Sequence, residues 1–286
     1  MNPISFFEEN EIQYFDGKDS HIAYRKFGTG PPILFIHGFP VYGYTWRFLL
    51  PRLSATHSCY VVDLVGLGYS KWNKATDFHF TAQARRLIDF VTSLGIQNCS
   101  IIAHNTGATT ARLVALSEKL RVQNLVLINT EVPGHRPPWI PLYQQVGKLP
   151  LSPYVFGTFL KNDVFVRSSM GFKEFYSNKE LLKNKTYLNP YLKLVTQSTH
   201  HIQGALAYLI GCNFKYMDSL KDRHKEIAAK VSLIWGEDDR TFPVSYGEEL
   251  ATQFTHCSFY RIAKASLMPH EEKPEEVLEI LISELG

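Results

Sequence analysis

Short apolar runs alternate along this chain with segments whose apolar residues recur at helical spacing. The runs are continuous, which is typical of strands buried on both faces of a sheet, and they lie at 32–37, 59–63, 99–104, 124–129, 231–235 and 258–262. Helical spacing is found between them, at 81–94, 108–120 and 273–285. Together with an opening hairpin of 12–15 and 21–27 around Asp16-Gly17, this alternation predicts a mostly parallel, eight-stranded α/β sheet with helices on both faces.

One region interrupts the alternation after the run at 124–129. From Gly134 to about Leu220 the sequence has no convincing buried strand, but it has helical stretches rich in Tyr, Phe and Leu. We therefore predict a helical cap at 135–220, inserted into a core domain of 1–134 and 221–286. A cap in this place would cover the carboxyl ends of the strands, where open parallel sheets bind their ligands.

Composition narrows the possible partners. The 286 residues are 45% hydrophobic, enough for one large core. The balance of 30 Lys+Arg against 27 Asp+Glu, with no long basic run, argues against nucleic acid. The first residues lack a signal-peptide pattern and no apolar run could span a bilayer, so we expect a cytoplasmic monomer or homodimer with no membrane partner. The four cysteines are widely spaced, which predicts reduced thiols, and their spacing does not suit a metal site. We expect no metal and no cofactor.

Asn105 is the residue most informative about chemistry. The segment 103–107, Ala-His-Asn-Thr-Gly, joins the run at 99–104 to the helix that follows it. A sharp strand–turn–helix connection with small flanking residues is where many hydrolases expose a nucleophile. An asparagine amide cannot attack as a hydroxyl, thiol or carboxylate does. The position is therefore that of a nucleophile, while the residue is not one.

Four motifs in the same order resemble those of the α/β-hydrolase superfamily, in particular the group of haloalkane dehalogenases, fluoroacetate dehalogenases and epoxide hydrolases. They are His37-Gly38-Phe39-Pro40, the segment 63–70 (Asp-Leu-Val-Gly-Leu-Gly-Tyr-Ser), the turn at Asn105, and Gly236-Glu237-Asp238-Asp239. The resemblance covers nearly the whole chain. It implies an oxyanion hole formed by the backbone N–H groups of Phe39 and Thr106. It also implies that Asp239 holds the position of the triad acid.

The catalytic histidine of the family has no counterpart at its usual place. Leu267 falls where the resemblance puts it, and His270 matches a position that in relatives often carries a histidine that is not the base. A three-residue shift on this loop would make His270 a substitute base. Relatives can also carry an acid just before the cap, where Asn129 and Glu131 lie, so Glu131 is a secondary acid candidate.

The resemblance also bears on substrate binding. Haloalkane dehalogenases place Trp directly after the nucleophile and fluoroacetate dehalogenases place Arg, whereas this chain has Thr106. Trp139, Tyr143 and Tyr208 are candidate substrate-binding residues, although aromatic residues in a small cap can equally form its packing core. Without an imidazole to orient, Asp239 is expected to cap the turn that follows it.

These observations predict a protein that acts on or binds a small, largely apolar molecule, and Asn105 and Leu267 argue against standard triad hydrolysis. One alternative keeps the oxyanion hole and uses Asn105 as an amide donor, with Glu131, His135 or His270 moving a proton. Deamidation of Asn105 to aspartate would restore a nucleophile. A further alternative is an inactive relative that binds a small molecule. The last is an interaction protein, which predicts a collapsed pocket and an exposed apolar patch on the cap.

Overall fold

The computed structural model describes residues 2–137 and 139–286, and these residues form a single sheet flanked by helices. The strands are β1 (Gln13–Asp16), β2 (Ser20–Phe27), β3 (Pro32–Ile36), β4 (Ser58–Val62), β5 (Lys71–Trp72), β6 (Asn98–His104), β7 (Arg121–Ile128), β8 (Lys230–Gly236) and β9 (Cys257–Ile262). The order is β1-β2-β4-β3-β6-β7-β8-β9, with β5 paired to β2. The strands from β3 onward along this path are parallel, and β2 is antiparallel to β1, β4 and β5.

The predicted mostly parallel α/β sheet is therefore confirmed, with one strand more than expected. All eight predicted strands are present, and β5 makes a ninth within the described part of the chain. With only two residues, β5 is too short to produce a pattern of alternating or continuous apolar positions.

The helices fill the connections between strands. The α-helices are α1 (Pro3–Glu8), α2 (Leu50–Leu53), α3 (Phe80–Ser93), α4 (Thr106–Ala115), α5 (Trp139–Gly147), α6 (Ser152–Leu160), α7 (Asp163–Val166), α8 (Leu188–Val195), α9 (Thr199–Gly211), α10 (Phe214–Asp218), α11 (Val244–Ala251), α12 (Pro269–Glu272) and α13 (Pro274–Leu285). Short 3-10 helices lie at Gly43–Trp46, Lys173–Phe175, Lys179–Leu182 and Lys221–Glu226. None of the helices in the described residues is long and apolar enough to cross a membrane.

Helix α4 ends earlier than the predicted segment at 108–120. Its last residue is Ala115, because the chain must turn before it enters β7 at Arg121. Leu120 continues the apolar pattern and is buried, but it lies in the connection after the helix. The predicted helix was therefore too long because a buried leucine outside the helix extended its pattern.

The register of the parallel strands brings four loops to one edge of the sheet. Ile36 pairs with Ala103, His104 with Ile128, and Ile128 with Ile234. The chain leaves each of these strands at its carboxyl end within a residue or two of these pairs. The loops that follow β3, β6, β7 and β8 therefore lie side by side, as expected for the ligand-binding edge of an open parallel sheet.

Six helices, α5 to α10, occupy the connection between β7 and β8, and we call them the insert helices. Helix α9 packs against α5, α6 and α8. Its N-cap residue is Ser198, whose hydroxyl accepts a hydrogen bond from the backbone N–H of His201. The division into a core of 1–134 and 221–286 and a cap of 135–220 stays a prediction.

Candidate active site

Asn105 lies in the turn between β6 and α4 with a backbone φ of 50°. This left-handed conformation is uncommon for residues other than glycine and is maintained by tight packing around the turn. A Cβ atom on Gly107 would lie 2.1 Å from the carbonyl oxygen of His37, and one on Gly38 would lie 2.4 Å from the Cβ of Asn105. Glycine at both positions therefore allows the loop after β3 to approach the turn.

The side chain of Asn105 fills the predicted oxyanion hole. Its Oδ1 accepts hydrogen bonds from the backbone N–H of Thr106 at 2.7 Å and of Phe39 at 3.2 Å. Two N–H donors require an oxygen, which fixes the orientation of the amide and turns Nδ2 away from them. The Phe39 and Thr106 amides converge as the resemblance implies, but the oxygen between them belongs to the protein.

The hydroxyl of Thr106 adds a second internal acceptor at the same place. Thr106 Oγ1 accepts from the backbone N–H of Phe39 at 3.0 Å and from the hydroxyl of Tyr208 at 2.9 Å. The Tyr208 ring also lies parallel to that of Phe39, with 6.2 Å between centroids. Tyr208 is buried and does not line the cavity described below. It packs behind the oxyanion loop, so the structure does not bring this predicted substrate-binding residue to the cavity.

Asp239 is buried, and hydrogen bonds satisfy both of its carboxyl oxygens. Oδ1 accepts from the backbone N–H groups of Thr241 at 2.7 Å and Phe242 at 3.0 Å, which caps the turn as expected. Oδ2 accepts from Nδ2 of Asn129 at 2.7 Å, and Oδ1 of Asn129 accepts from the backbone N–H of Gly236 at 3.0 Å. Burial raises the pKa of Asp239 from 3.8 to about 7, against the opposing effect of these hydrogen bonds.

Leu267, at the position of the family histidine, lines the cavity with an apolar side chain. Its carbonyl oxygen accepts a hydrogen bond from Nε2 of His104 at 2.9 Å. His104 is buried beneath the turn that holds Asn105, and burial lowers its pKa from 6.5 to about 3. A neutral imidazole therefore fixes the loop backbone at the place where an active relative would carry the base.

The structure does not bring His270, the possible substitute base, to the cavity. His270 is fully buried and is not among the residues that line the cavity. The hydroxyl of Thr45 donates to Glu271 at 3.0 Å, so it accepts from Nε2 of His270 at 2.7 Å. The ring packs against Trp46 at 4.7 Å between centroids. The physical reason is that α12 begins at Pro269, and this helix turns the imidazole into the core.

A cavity of about 170 Å³ lies between the carboxyl edge of the sheet and the insert helices. An engineered apolar cavity of roughly 150 Å³ binds benzene, so this volume suits a small ring or a short chain. Of the predicted site residues, the cavity is lined by Phe39, Asn105, Thr106, Glu131, Trp139, Tyr143 and Leu267. The rest of its wall is mostly apolar and includes Phe156, Leu160, Phe165, Leu206, Leu209 and Phe242. The collapsed pocket predicted for an interaction protein is not observed.

Glu131 is buried in the wall of this cavity, within a hydrogen-bond network that the sequence did not reveal. Its Oε2 accepts from the hydroxyls of Thr109 at 2.9 Å and Thr130 at 3.2 Å. Nη2 of Arg112 donates to Thr109 at 2.7 Å and to the carbonyl oxygen of Glu131 at 3.1 Å. Burial raises the pKa of Glu131 and the charge of Arg112 opposes that shift. The available signal was Arg112, the one charged residue of helix α4.

The comparisons with known proteins agree with this fold. A family model described as alpha/beta hydrolase fold matches residues 31–274. The chain belongs to this family. Epoxide hydrolase 3 of Xenopus tropicalis is 24% identical to this alpha/beta hydrolase in an alignment 283 residues long that covers 94% of this chain and 76% of that protein. Haloalkane dehalogenase 2 of Mycobacterium bovis is 31% identical over 120 residues, 42% of each protein.

A solved structure supports the fold of this alpha/beta hydrolase over almost its full length. The crystal structure of an alpha/beta hydrolase fold protein from Burkholderia ambifaria aligns with a TM-score of 0.78. The alignment covers 96% of this chain and 99% of the other, at 20% sequence identity. At that identity the likeness concerns the fold alone, so function has to be argued from the site itself.

Proposed function

We propose that this alpha/beta hydrolase binds a small, largely apolar molecule in the cavity without cleaving it by the covalent ester mechanism of its relatives. The observation that carries the proposal is the amide of Asn105, whose Oδ1 occupies both oxyanion donors. The atom left to meet a ligand is Nδ2, which donates hydrogen bonds and has no lone pair for attack.

The second half of an ester mechanism also lacks its residue. Hydrolysis of a covalent ester needs a base to activate water, and the base position holds Leu267. Asp239, which would orient an imidazole, is bound by Asn129 instead. The cavity, however, remains open above the turn, which supports a role in binding.

The test measures binding and turnover on the same protein. Chlorocyclohexane and cyclohexene oxide suit the cavity volume and represent the haloalkanes and epoxides in the names of the relatives. By isothermal titration calorimetry we expect saturable binding, with no chloride or diol formed above a protein-free control. Ala205→Phe is the matched control, because Ala205 lines the cavity and a phenyl ring there would fill it. Product formation by the unmodified protein, or binding unaffected by Ala205→Phe, would contradict the proposal.

A second candidate function, self-association through the insert helices, is favoured by their outer surface. Eight of the twelve exposed large apolar side chains in the described residues lie between 142 and 170. They are Leu142, Leu149, Leu151, Tyr154, Val155, Phe159, Val164 and Met170. Such a concentration is typical of an interaction surface. Sedimentation velocity should then give a dimer that Val164→Asp converts to a monomer. Ile282→Asp, at an exposed position outside this surface, should leave the dimer unchanged. A monomeric unmodified protein would argue against self-association.

A further inference from the structure

The polar groups in the cavity wall restrict what the ligand can be, and Glu131 is the most restrictive. Its side chain is 1% exposed, so water does not compensate for its charge or its hydrogen-bonding capacity. Oε2 is satisfied by the hydroxyls of Thr109 and Thr130. In the described parts of the chain no other residue donates a hydrogen bond to Oε1, although the backbone N–H of Glu131 itself bonds the carboxyl group. Because Glu131 lines the cavity, a ligand there can supply a donor to Oε1.

Asn105 supplies a donor in the same cavity wall. Asn105 and Glu131 both line the cavity, and the hydroxyl of Thr130 lies 3.1 Å from the backbone carbonyl oxygen of Asn105 and 3.2 Å from Oε2 of Glu131. Oδ1 of Asn105 is held by the two oxyanion amides, which leaves Nδ2. The polar end of the cavity thus combines an acceptor, Oε1, and a donor, Nδ2.

The environment of Glu131 excludes several ligand classes. A carboxylate ligand would place a second negative charge beside Glu131 in a region of low dielectric. A haloalkane, a ketone or a hydrocarbon brings no donor to Oε1 and leaves this buried acceptor unsatisfied, which costs about 1–3 kcal/mol. An ammonium group would lose its hydration in this mostly apolar cavity, and burying a charge costs more than one hydrogen bond to Oε1 returns. A hydroxyl both donates and accepts, and so satisfies Oε1 and Nδ2 together.

We propose that the ligand class of this cavity is a small apolar alcohol whose hydroxyl donates a hydrogen bond to Oε1 of Glu131. The inference rests on the proposed binding function and adds the chemical group that is recognised. The apolar wall provides the contact with the hydrocarbon part, and the volume of about 170 Å³ limits that part to a single ring or a short chain.

The experiment compares ligands of one size that differ in a single group. Cyclohexanol, cyclohexanone, chlorocyclohexane and cyclohexylamine are titrated by calorimetry into the unmodified full chain. We expect cyclohexanol to bind about tenfold more tightly than each of the others, because one buried hydrogen bond contributes roughly that factor. Chlorocyclohexane is more apolar than cyclohexanol, so hydrophobic transfer alone predicts the opposite order.

Two variants locate the preference. Glu131→Gln keeps an acceptor for Thr109 and Thr130 but turns an NH₂ donor toward the ligand, so the preference for cyclohexanol over cyclohexanone should disappear. Glu284→Gln is the matched control, because Glu284 is also buried and accepts from two hydroxyl groups, those of Ser232 and Tyr260, but does not line the cavity. It should leave the preference unchanged. If Glu131→Gln does not fold, the ligand series on the unmodified protein still decides.

The outcomes separate this inference from the proposed function. Binding of all four compounds with equal affinity overturns the alcohol preference and leaves the binding function in place. Tightest binding of cyclohexylamine or cyclohexanone overturns it as well, in favour of a cation or an acceptor. Absence of binding by every compound, or conversion of chlorocyclohexane to product, overturns the proposed function together with the inference.

Discussion

Nδ2 of Asn129 donates a hydrogen bond to Oδ2 of Asp239 at 2.7 Å. With the backbone N–H groups of Thr241 and Phe242, this bond gives the carboxyl group three donors. No imidazole is needed to satisfy the buried acid, so Leu267 can occupy the histidine position without leaving Asp239 unpaired. The pairing of Asn129 with Asp239 therefore explains how this chain tolerates the loss of a triad histidine.

Asp239 should make stability depend on pH in an unusual direction. Its pKa rises from 3.8 to about 7 in the folded protein. The fold therefore favours the neutral carboxyl, and this contribution is complete below about pH 3.8 and is lost as the pH rises to about 7. The slope is at most about 1.4 kcal/mol per pH unit. In urea denaturation, the free energy of unfolding of the unmodified protein should fall relative to that of Asp239→Asn as the pH rises through this range. A difference between the two proteins that does not change with pH would contradict the assignment.

Asn105→Asp should restore only the first half of the ester mechanism. One carboxyl oxygen would take the place of Oδ1 between the Phe39 and Thr106 amides, and the other would face the cavity. With bromobutane, this oxygen should displace bromide and form an alkyl ester that persists, because Leu267 supplies no base. Intact-mass spectrometry should show one added butyl group. Bromide release should stop at about one equivalent per protein, because the ester is not hydrolysed. Asn105→Ala is the control, and an unmodified mass for Asn105→Asp would show that the turn does not aim its side chain into the cavity.

The double variant Asn105→Asp with Leu267→His should turn over. An imidazole at 267 lies on the loop beside the Asp239 turn, where it can activate water against the ester. Bromide release should exceed one equivalent per protein, while Leu267→His alone should release none. Persistence of the butyl adduct in the double variant would mean that Asn129 keeps Asp239 from orienting the new histidine.

The fold was predictable from the sequence because buried parallel strands leave continuous apolar runs. The eight predicted strands agree with the structure, and the opening hairpin around Asp16-Gly17 does so as well. The pattern could not reveal β5, which contains two residues, or the end of α4, because Leu120 is buried for reasons of tertiary packing. Helices are less distinct than strands where a buried residue follows the helix end.

The site was predictable where a residue's role depends on the backbone. Phe39 and Thr106 converge through their N–H groups, whose positions follow from the loop after β3 and the turn after β6. Side-chain partners across the sheet were not predictable, and so the bond between Asn129 and Asp239 was missed. The burial of His270 was not predictable either, because the direction of its side chain depends on where a four-residue helix begins.

The hydroxyl of Tyr208 should contribute to stability through Thr106. Tyr208→Phe keeps the parallel packing on Phe39 but removes the donor to Thr106 Oγ1. The loss of a buried hydrogen bond should lower the free energy of unfolding by about 1 kcal/mol. Tyr154→Phe is the control, since that side chain is 64% exposed and should change stability by less than about 0.5 kcal/mol. Equal effects of the two substitutions in urea denaturation would contradict this role.

The central claim, that Asn105 ends the ester chemistry of this site, is tested most directly by comparing the unmodified protein with Asn105→Ala. Short p-nitrophenyl esters, bromobutane and cyclohexene oxide are assayed for product, and intact mass is recorded alongside. We predict no product beyond that of Asn105→Ala, no adduct, and no mass change of the kind that deamidation to aspartate produces. Product that disappears in Asn105→Ala would contradict the account, and the mass would show whether Asn105 itself or an aspartate formed from it takes part.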